Sequence, residues 1–373
     1  MPVPIVNFRP ILEATELAVA KNLQQLMDRQ WFILGEQVRS FEHEFAATLN
    51  TAETIGVGNG TDAIQLCLRA AGIASSKQEV LTTALTAPFS GIGILAAGAS
   101  IRFADVNPRT LQIDPDDAGN RLRKSSAALI PVHLYGQPCS IDRFSRLARD
   151  RKLTLIQDAC QAHGASFRGK PFTAFSPYVA YSFYPTKNLG CLGDGGAIAT
   201  SRKPVAKLLR ELRDGGRRGG QVTYRPGINS RLDELHACYL RAFLPHLAEW
   251  NGHRRAIAAF YDQALHDCPG VQLIERTEDS VCHLYVIRAA KRDKLRAFLS
   301  SKGVGAGIHY PVPMHLHPTF AAARQKKGDL PHAERACREI LSLPIWPYMP
   351  QSAAREVAER VREYYRGSTR HKG

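Results

Sequence analysis

Between about residues 55 and 200 the chain alternates short apolar runs with amphipathic segments, and this alternation constrains its fold more than any other feature. The runs at 79–85, 101–106, 127–134, 153–157 and 178–183 are too short for buried helices and read as strands. Between them, Ala63, Leu66, Cys67 and Ala70 recur at helical spacing, as do Ile141, Phe144, Leu147 and Ala148, so each set lies on one helix face. Strands separated by helices are joined by crossovers, and crossovers bring strands side by side in parallel. The pattern predicts an α/β fold with a mostly parallel sheet and helices on both faces.

At 373 residues the chain is long enough for two domains. A glycine-rich stretch at 214–227 leads into a helix face of Leu235, Cys238, Tyr239, Ala242 and Phe243, which ends near Pro245. Beyond it, helical segments mix with a short strand at 283–288 and a proline-rich segment at 307–318. The expected division is a large α/β domain over 1–248, with a helical N-terminal segment, and a small α+β domain over 249–373. A composition of 44% hydrophobic and 22% charged residues argues against disorder. The eight cysteines form no Cys-x-x-Cys pair and read as reduced core residues of a cytoplasmic protein. No charge-free run reaches membrane-spanning length and no signal-peptide pattern is visible, so export and insertion are not expected.

The net charge of +15 should gather anions in any cleft it lines. Nucleic acid is not the expected partner, because aromatic residues are not interleaved with the basic clusters and no zinc-finger spacing or RNA-platform motif is found. Between 202 and 225, eight basic residues from Arg202 to Arg225 face only Glu211 and Asp214; they read either as an anion-steering wall or as a solvated helix face.

Four segments carry chemistry. Gly56-Val-Gly-Asn-Gly-Thr-Asp62 lacks the last glycine of a dinucleotide fingerprint, Thr61 standing there, but a glycine-rich turn into a helix still offers free N–H groups to a phosphate. The competing reading is a plain loop with Thr61 or Asp62 as helix cap. In Thr154-Leu-Ile-Gln-Asp158-Ala-Cys-Gln161-Ala-His163-Gly164, a strand runs straight into a carboxylate. Ligands of open α/β sheets sit at the carboxyl ends of strands, so Asp158 is aimed at a site, where it would stabilise a protonated ring nitrogen; otherwise it caps the next helix. Ser182-Phe-Tyr-Pro-Thr-Lys187-Asn-Leu-Gly190 sets a lysine in a compact turn, either exposed or desolvated enough to form a Schiff base with a carbonyl cofactor. Gly227-Ile-Asn229-Ser-Arg231-Leu-Asp233-Glu234 is a polar loop before a helix. His309, His315 and His317 cluster without the spacing of a metal site, and no metal is expected.

Together with Phe32-Ile-Leu-Gly-Glu36, His133-Leu-Tyr-Gly-Gln-Pro138, Gly193-Asp-Gly-Gly-Ala197 and Gly307-Ile-His-Tyr-Pro311, these segments run in order across nearly the whole chain. The ensemble resembles the DegT/DnrJ/EryC1/StrS family of pyridoxal-phosphate-dependent sugar aminotransferases. The resemblance implies PLP fold type I, the aspartate-aminotransferase type, and a homodimer with shared active sites. It makes Lys187 the lysine that bonds the cofactor and Asp158 the partner of its ring nitrogen. It sets Gln161 near the ring's phenolic oxygen. Gly60, Thr61 and Ser182 would hold the phosphate, joined by Asn229 from the other subunit. Arg231, His309 and Tyr310 are the expected substrate contacts.

Three features depart from the family pattern. The ring-stacking aromatic falls on Phe89 only with a small gap; Asp214-Gly215-Gly216 replaces the usual pair after Arg213; and Cys160 and Cys191 stand where small residues are usual. The implied reaction moves an amino group from an amino acid, by family habit L-glutamate, to a nucleotide-linked keto sugar. Pro185-Thr-Lys-Asn-Leu-Gly190 with Gly193-Asp-Gly-Gly196 resembles members acting at C3 of a dTDP-3-keto-6-deoxyhexose. A 4-keto nucleotide sugar, a cyclitol ketone, or a catalytically silent regulatory protein of the same fold are the alternatives.

Overall fold

A computed structural model of the chain describes residues 2–223 and 226–370; Arg225, expected in the basic wall, lies outside the described residues. Seven strands form the main sheet: β1 (Glu53–Val57), β2 (Glu79–Thr83), β3 (Ser100–Ala104), β4 (Ser126–Ile130), β5 (Thr154–Leu155 and Gln157–Asp158, interrupted at Ile156), β6 (Val179–Ser182) and β7 (Gly196–Thr200). Their order is β1-β7-β6-β5-β4-β2-β3, with the two halves joined along β5, where the Asp158 N–H donates to Pro131 O at 3.0 Å. β2 is parallel to β3 and β4, β4 to β5, and β5 to β6, whereas β7 runs antiparallel to both β6 and β1.

All five expected strand runs are strands. β1 and β7 were not among the expected runs; Gly-Ala-Ile-Ala-Thr of β7 is short and made mostly of small residues. Because only β7 is reversed, the carboxyl ends of the other six strands share one edge of the sheet, where ligands of open α/β sheets bind. The ends of β5 and β6 and the segments after β1, β2, β5 and β6 carry Gly60, Thr61, Phe89, Asp158, Gln161, Ser182 and Lys187 among the expected site residues.

Helices cover both faces of the sheet. On one face Ile64, Cys67, Ile94, Phe103, Ile130 and Ile198 belong to a common core. On the other, Phe45 stacks on Phe41, with ring centroids 5.4 Å apart, and meets Tyr181 and Phe183 edge-on at 5.3 and 5.4 Å. Side chains alternate along a strand. Anchoring Tyr181 and Phe183 in this aromatic cluster therefore turns Ser182, between them, toward the opposite face. Buried charge within the sheet is paired: Glu79 on β2 accepts from Arg102 on β3 at 2.9 Å.

The helix Leu247–Leu265 begins just before the expected boundary at 248/249 and leads into a second unit. Its antiparallel sheet runs β8 (Val271–Leu273), β9 (Tyr285–Ala289) and β10 (Ile340–Leu343), packed against the helices Leu247–Leu265, Arg292–Ser301 and Gln351–Arg370. Gly307 pairs with Ser342 on β10, which fixes the start of the proline-rich segment on the edge of this small sheet. All eight cysteines are free thiols and all but Cys160 are buried. No described helix is long and apolar enough to cross a membrane.

Phe45→Ala, which empties the centre of the aromatic cluster, should cost about 3–5 kcal/mol in denaturant unfolding. A loss below about 1 kcal/mol would show that β6 is anchored by something else.

Candidate active site

The segment after β1 turns at Gly58 and enters the helix Gly60–Ala70. Sequence alone offered Thr61 or Asp62 as the cap; the cap is Asn59, whose Oδ1 accepts from the Asp62 N–H at 2.8 Å. This leaves the first-turn N–H groups of Gly60 and Thr61 ahead of the helical ladder, where an anion is best received. Gly60 is required by contact: a Cβ there would lie 2.8 Å from Ser182 Cβ and 2.9 Å from Cys160 Sγ. Gly196 is tighter, since a Cβ would come within 2.5 Å of the Asn59 carbonyl. Two loops and the start of β7 thus close on one small space that has Thr61 and the Ser182 hydroxyl on its wall.

Asp158 ends β5 and is buried. Its Oδ2 accepts from the Ser90 hydroxyl at 2.6 Å and its Oδ1 from the Cys160 N–H at 3.1 Å. No ion pair to Asp158 is present among the described residues, so the charge is met by hydrogen bonds, and a protonated ring nitrogen suits it. Ser90 was not singled out from sequence; it follows Phe89 in the first turn of the helix after β2, and a contact spanning 68 residues leaves no local signal. Phe89 itself is 59% exposed at the start of the helix Phe89–Ala96, leaving its ring face available to a flat ligand.

Gln161 is fixed from two sides. Its Oε1 accepts from the Tyr135 N–H at 2.7 Å and its Nε2 donates to the Tyr310 hydroxyl at 3.1 Å. Tyr135 in turn donates its hydroxyl to the His309 carbonyl at 2.5 Å, and the His309 ring meets the Ser342 hydroxyl at 2.8 Å. The segments carrying Asp158, Tyr135 and His309 are therefore tied together, with Tyr310 joined to Gln161.

Lys187 sits in a loop that closes on itself: its N–H donates to Tyr184 O at 2.9 Å, and a Cβ at Gly190 would lie 2.6 Å from Pro185 O. Burial holds the amine below the usual lysine range, against the opposing pull of Cys160 and Asp158. Asn188 is clamped from behind. Its Nδ2 donates to Asn251 Oδ1 at 2.8 Å and Val281 O at 2.9 Å, and its Oδ1 faces His283 Nδ1 at 3.0 Å. Asn251 also donates to His163 O at 2.9 Å. Desolvation lowers His163 to about 3 and His309 to about 4, so neutral rings surround the lysine.

Other expected residues lie elsewhere. Asn229 pairs through its backbone with Asp214, and Ser230 next to it accepts from the Gly58 N–H at 2.9 Å, so this loop lies on the phosphate-type turn of its own chain. Arg231 is engaged by the Asp214 carboxylate at 3.1 Å. The basic wall is largely neutralised: Arg213 pairs with Glu42, Arg210 with Glu53, Arg217 with Asp214 and Arg218 with Glu211, while Arg202, Lys203 and Lys207 have no acidic partner among the described residues. The histidine cluster disperses, His315 to Glu334 and His317 to the Val312 carbonyl. Among the described residues no three His, Cys, Asp or Glu side chains are grouped to hold a metal.

Residues 14–362 match the DegT/DnrJ/EryC1/StrS aminotransferase family. The chain belongs to that family. It is 39% identical over 364 residues to the dTDP-3-amino-3,4,6-trideoxy-alpha-D-glucose transaminase of Streptomyces venezuelae, covering 97% of this chain and 96% of that one. It is also 39% identical over 370 residues to a pleiotropic regulatory protein of Geobacillus stearothermophilus, covering 98% and 99%. Among solved structures, S. venezuelae DesV in complex with a ketimine intermediate superposes with a TM-score of 0.94 at 39% identity, over 98% of each chain. The architecture is PLP fold type I, and the enzymes of this DegT/DnrJ/EryC1/StrS family are PLP-dependent transaminases. The cradle fits that cofactor: an anion-receiving helix start, a buried carboxylate lacking a cation, an open aromatic face and a desolvated lysine.

Stability should fall as pH drops from about 6.5 toward 4. His133, held near 4 by burial and hydrogen-bonded to Gln157, and His309, also near 4, refuse protons that the unfolded chain accepts. Unfolding midpoints measured across this window check it; a flat profile would rule out buried neutral imidazoles.

Proposed function

We propose that this protein transfers an amino group from L-glutamate to C3 of a nucleotide-linked keto sugar, a dTDP-3-keto-6-deoxyhexose. The observation that carries the reading is the desolvated Lys187 held in one cluster with the buried, unpaired carboxylate of Asp158. The sugar class rests on the 39% identity to a dTDP-3-amino sugar transaminase.

Bound in this cradle, pyridoxal 5′-phosphate supplies an electron sink for a substrate carbon that loses its proton. Asp158 Oδ atoms, held by Ser90 and the Cys160 N–H, keep a proton on the ring nitrogen. Gly60, Thr61 and Ser182 receive the phosphate, Phe89 covers the ring, and Gln161, pinned by Tyr135, faces the phenolic oxygen. Lys187 would bond the cofactor, and once an incoming amine displaces it, its Nζ, whose affinity for a proton burial lowers, would take a proton from the substrate carbon and return it. Arg231, His309 and Tyr310 contact the sugar nucleotide.

The reading includes a division into domains 1–248 and 249–373, a cytoplasmic location and a homodimer in which Asn229 completes the partner's phosphate site. Exposed Leu17, Met27, Trp31, Phe32 and Leu235 support an apolar face of the kind that associates. Cross-linking at micromolar concentration that yields only monomer would contradict the dimer.

The regulatory name of the G. stearothermophilus relative supports a second reading, a silent protein of the same fold. Borohydride treatment of the PLP-loaded protein should place the cofactor on Lys187 in peptide mapping, and Lys187→Ala should abolish transamination while remaining folded. A correctly loaded wild type that responds to no amino donor would favour the silent reading; turnover retained in Lys187→Ala would remove the lysine from its role. Gly60→Ala, which drives a methyl against Ser182 and Cys160, should weaken cofactor binding at least about tenfold, read by equilibrium titration. Unchanged affinity would take Gly60 out of the phosphate site.

A further inference from the structure

His283, just before β9, is 5% exposed and meets the lysine loop through the side chain of Asn188. Backbone carbonyls fix the direction of each hydrogen bond in this contact. Asn251 donates its Nδ2 to the His163 carbonyl at 2.9 Å, so its Oδ1 is the end that meets Asn188 at 2.8 Å. Asn188 therefore presents Nδ2 to Asn251, and the same nitrogen donates to the Val281 carbonyl at 2.9 Å. Both of its hydrogens are then spent, and its Oδ1 faces His283 Nδ1 at 3.0 Å as an acceptor. The ring nitrogen must be the donor. Burial, with the nearby cations Lys187 and Arg254, holds the imidazole well below its usual range, so the ring is neutral and its one proton sits on Nδ1.

The base from which His283 reaches out belongs to the cofactor cradle. The Val281 N–H donates to Gly136 O at 2.9 Å, and a Cβ on Gly136 would lie 2.8 Å from the His283 backbone nitrogen. Gly136 follows Tyr135, whose N–H holds Gln161 at 2.7 Å. The backbone bonds of the lysine loop are local by contrast: the Lys187 N–H donates to Tyr184 O at 2.9 Å and the Cys191 N–H to Phe183 O at 2.8 Å. Buried Leu189 adds apolar contact, which has no direction. The side chain of Asn188 thus registers the loop against the residues placed around the ring. Its acceptor is met, among the described residues, by His283.

We propose that His283 is a positioning residue for Lys187: as an Nδ1–H donor it locks Asn188, and Asn188 sets where the amine stands relative to the cofactor ring. The proposal rests on Lys187 being the residue that bonds the cofactor. Without the donor, Asn188 Oδ1 becomes a buried acceptor with no partner, a cost relieved by turning the amide and shifting the loop. A shift of about 1 Å at a reacting group can cost about a hundredfold in rate.

His283→Leu removes the donor and His283→Asn returns one, because an asparagine Nδ2 falls close to the place of a histidine Nδ1. Asparagine is also the smaller residue, so a role in packing alone would make it no better than leucine. The leucine variant should lose at least about tenfold in kcat, with KM for the amino donor changed less than about twofold, and the asparagine variant should recover to within about threefold of wild type. In the cofactor-free protein, reductive methylation of Lys187 across pH, read by peptide mapping, should show a midpoint that rises toward that of an ordinary lysine in His283→Leu and returns in His283→Asn. An asparagine variant as impaired as the leucine one, or an unshifted midpoint in a folded leucine variant, would overturn the proposal. If the leucine variant does not fold, nitrogen NMR of the histidine-labelled wild type decides: a neutral ring protonated on Nδ1, its signal missing from His283→Asn, supports the role, and a ring protonated on Nε2 or charged overturns it. A wild type without turnover would sink the transaminase reading, whereas the tautomer and the methylation midpoints are measured without cofactor and test His283 separately.

Discussion

Asp158 carries a buried negative charge that is satisfied by donors and not by a cation, and much of the site follows from that arrangement. Ser90 from the loop after β2 and the Cys160 N–H from the turn after β5 occupy both oxygens. Lys187 is near enough to feel the charge, yet burial outweighs that attraction and holds the amine below its usual range. Had the two groups formed an ion pair, the carboxylate would be engaged and the amine locked in its charged form. In the proposed reaction, keeping them apart would leave one for a cationic ring nitrogen and the other to act as a nucleophile and base.

The parallel sheet makes this separation possible. Five loops leave the same edge, and each contributes a different kind of group: N–H donors from 58–61, an aromatic face and hydroxyl from 89–90, a backbone donor from Tyr135, carboxylate and amide from 158–161, hydroxyl and amine from 182–187. The glycines at 60, 190 and 196 are the points where those loops approach within side-chain contact distance. The aromatic packing of Phe41, Phe45, Tyr181 and Phe183 holds β6 from the far side, so the orientation of Ser182 is set by side chains that meet the site only through the His163 ring.

The architecture was legible because strand and helix periodicities are written locally. Strands β2 to β6 and the helices at 60–70 and 141–150 follow from spacing alone. β7 was not legible, because its residues are small and its reversed direction depends on a partner more than a hundred residues away. The same division holds at the site. Asp158, Lys187 and the Gly60 turn were readable as strand ends and loop chemistry. Ser90, Tyr135 and Asn188 were not, since their roles exist only through contacts with Asp158, Gln161 and Asn251. The charged stretch at 202–218 shows the reverse error: a run of cations invites a steering role, but four of its seven are paired, Arg210 and Arg213 with Glu53 and Glu42 from other segments, Arg217 and Arg218 with Asp214 and Glu211 in the stretch itself.

Asn188 binds Asn251 and Val281 and faces His283, while Asn251 binds the His163 carbonyl at the end of the Asp158 segment. The long helix and the strand-bearing unit beyond it therefore grip the catalytic loop directly. Any hinge motion of that unit must either carry the lysine along or rupture this amide knot, so the amine is mechanically geared to segments 63 and 93 residues beyond its neighbour Asn188.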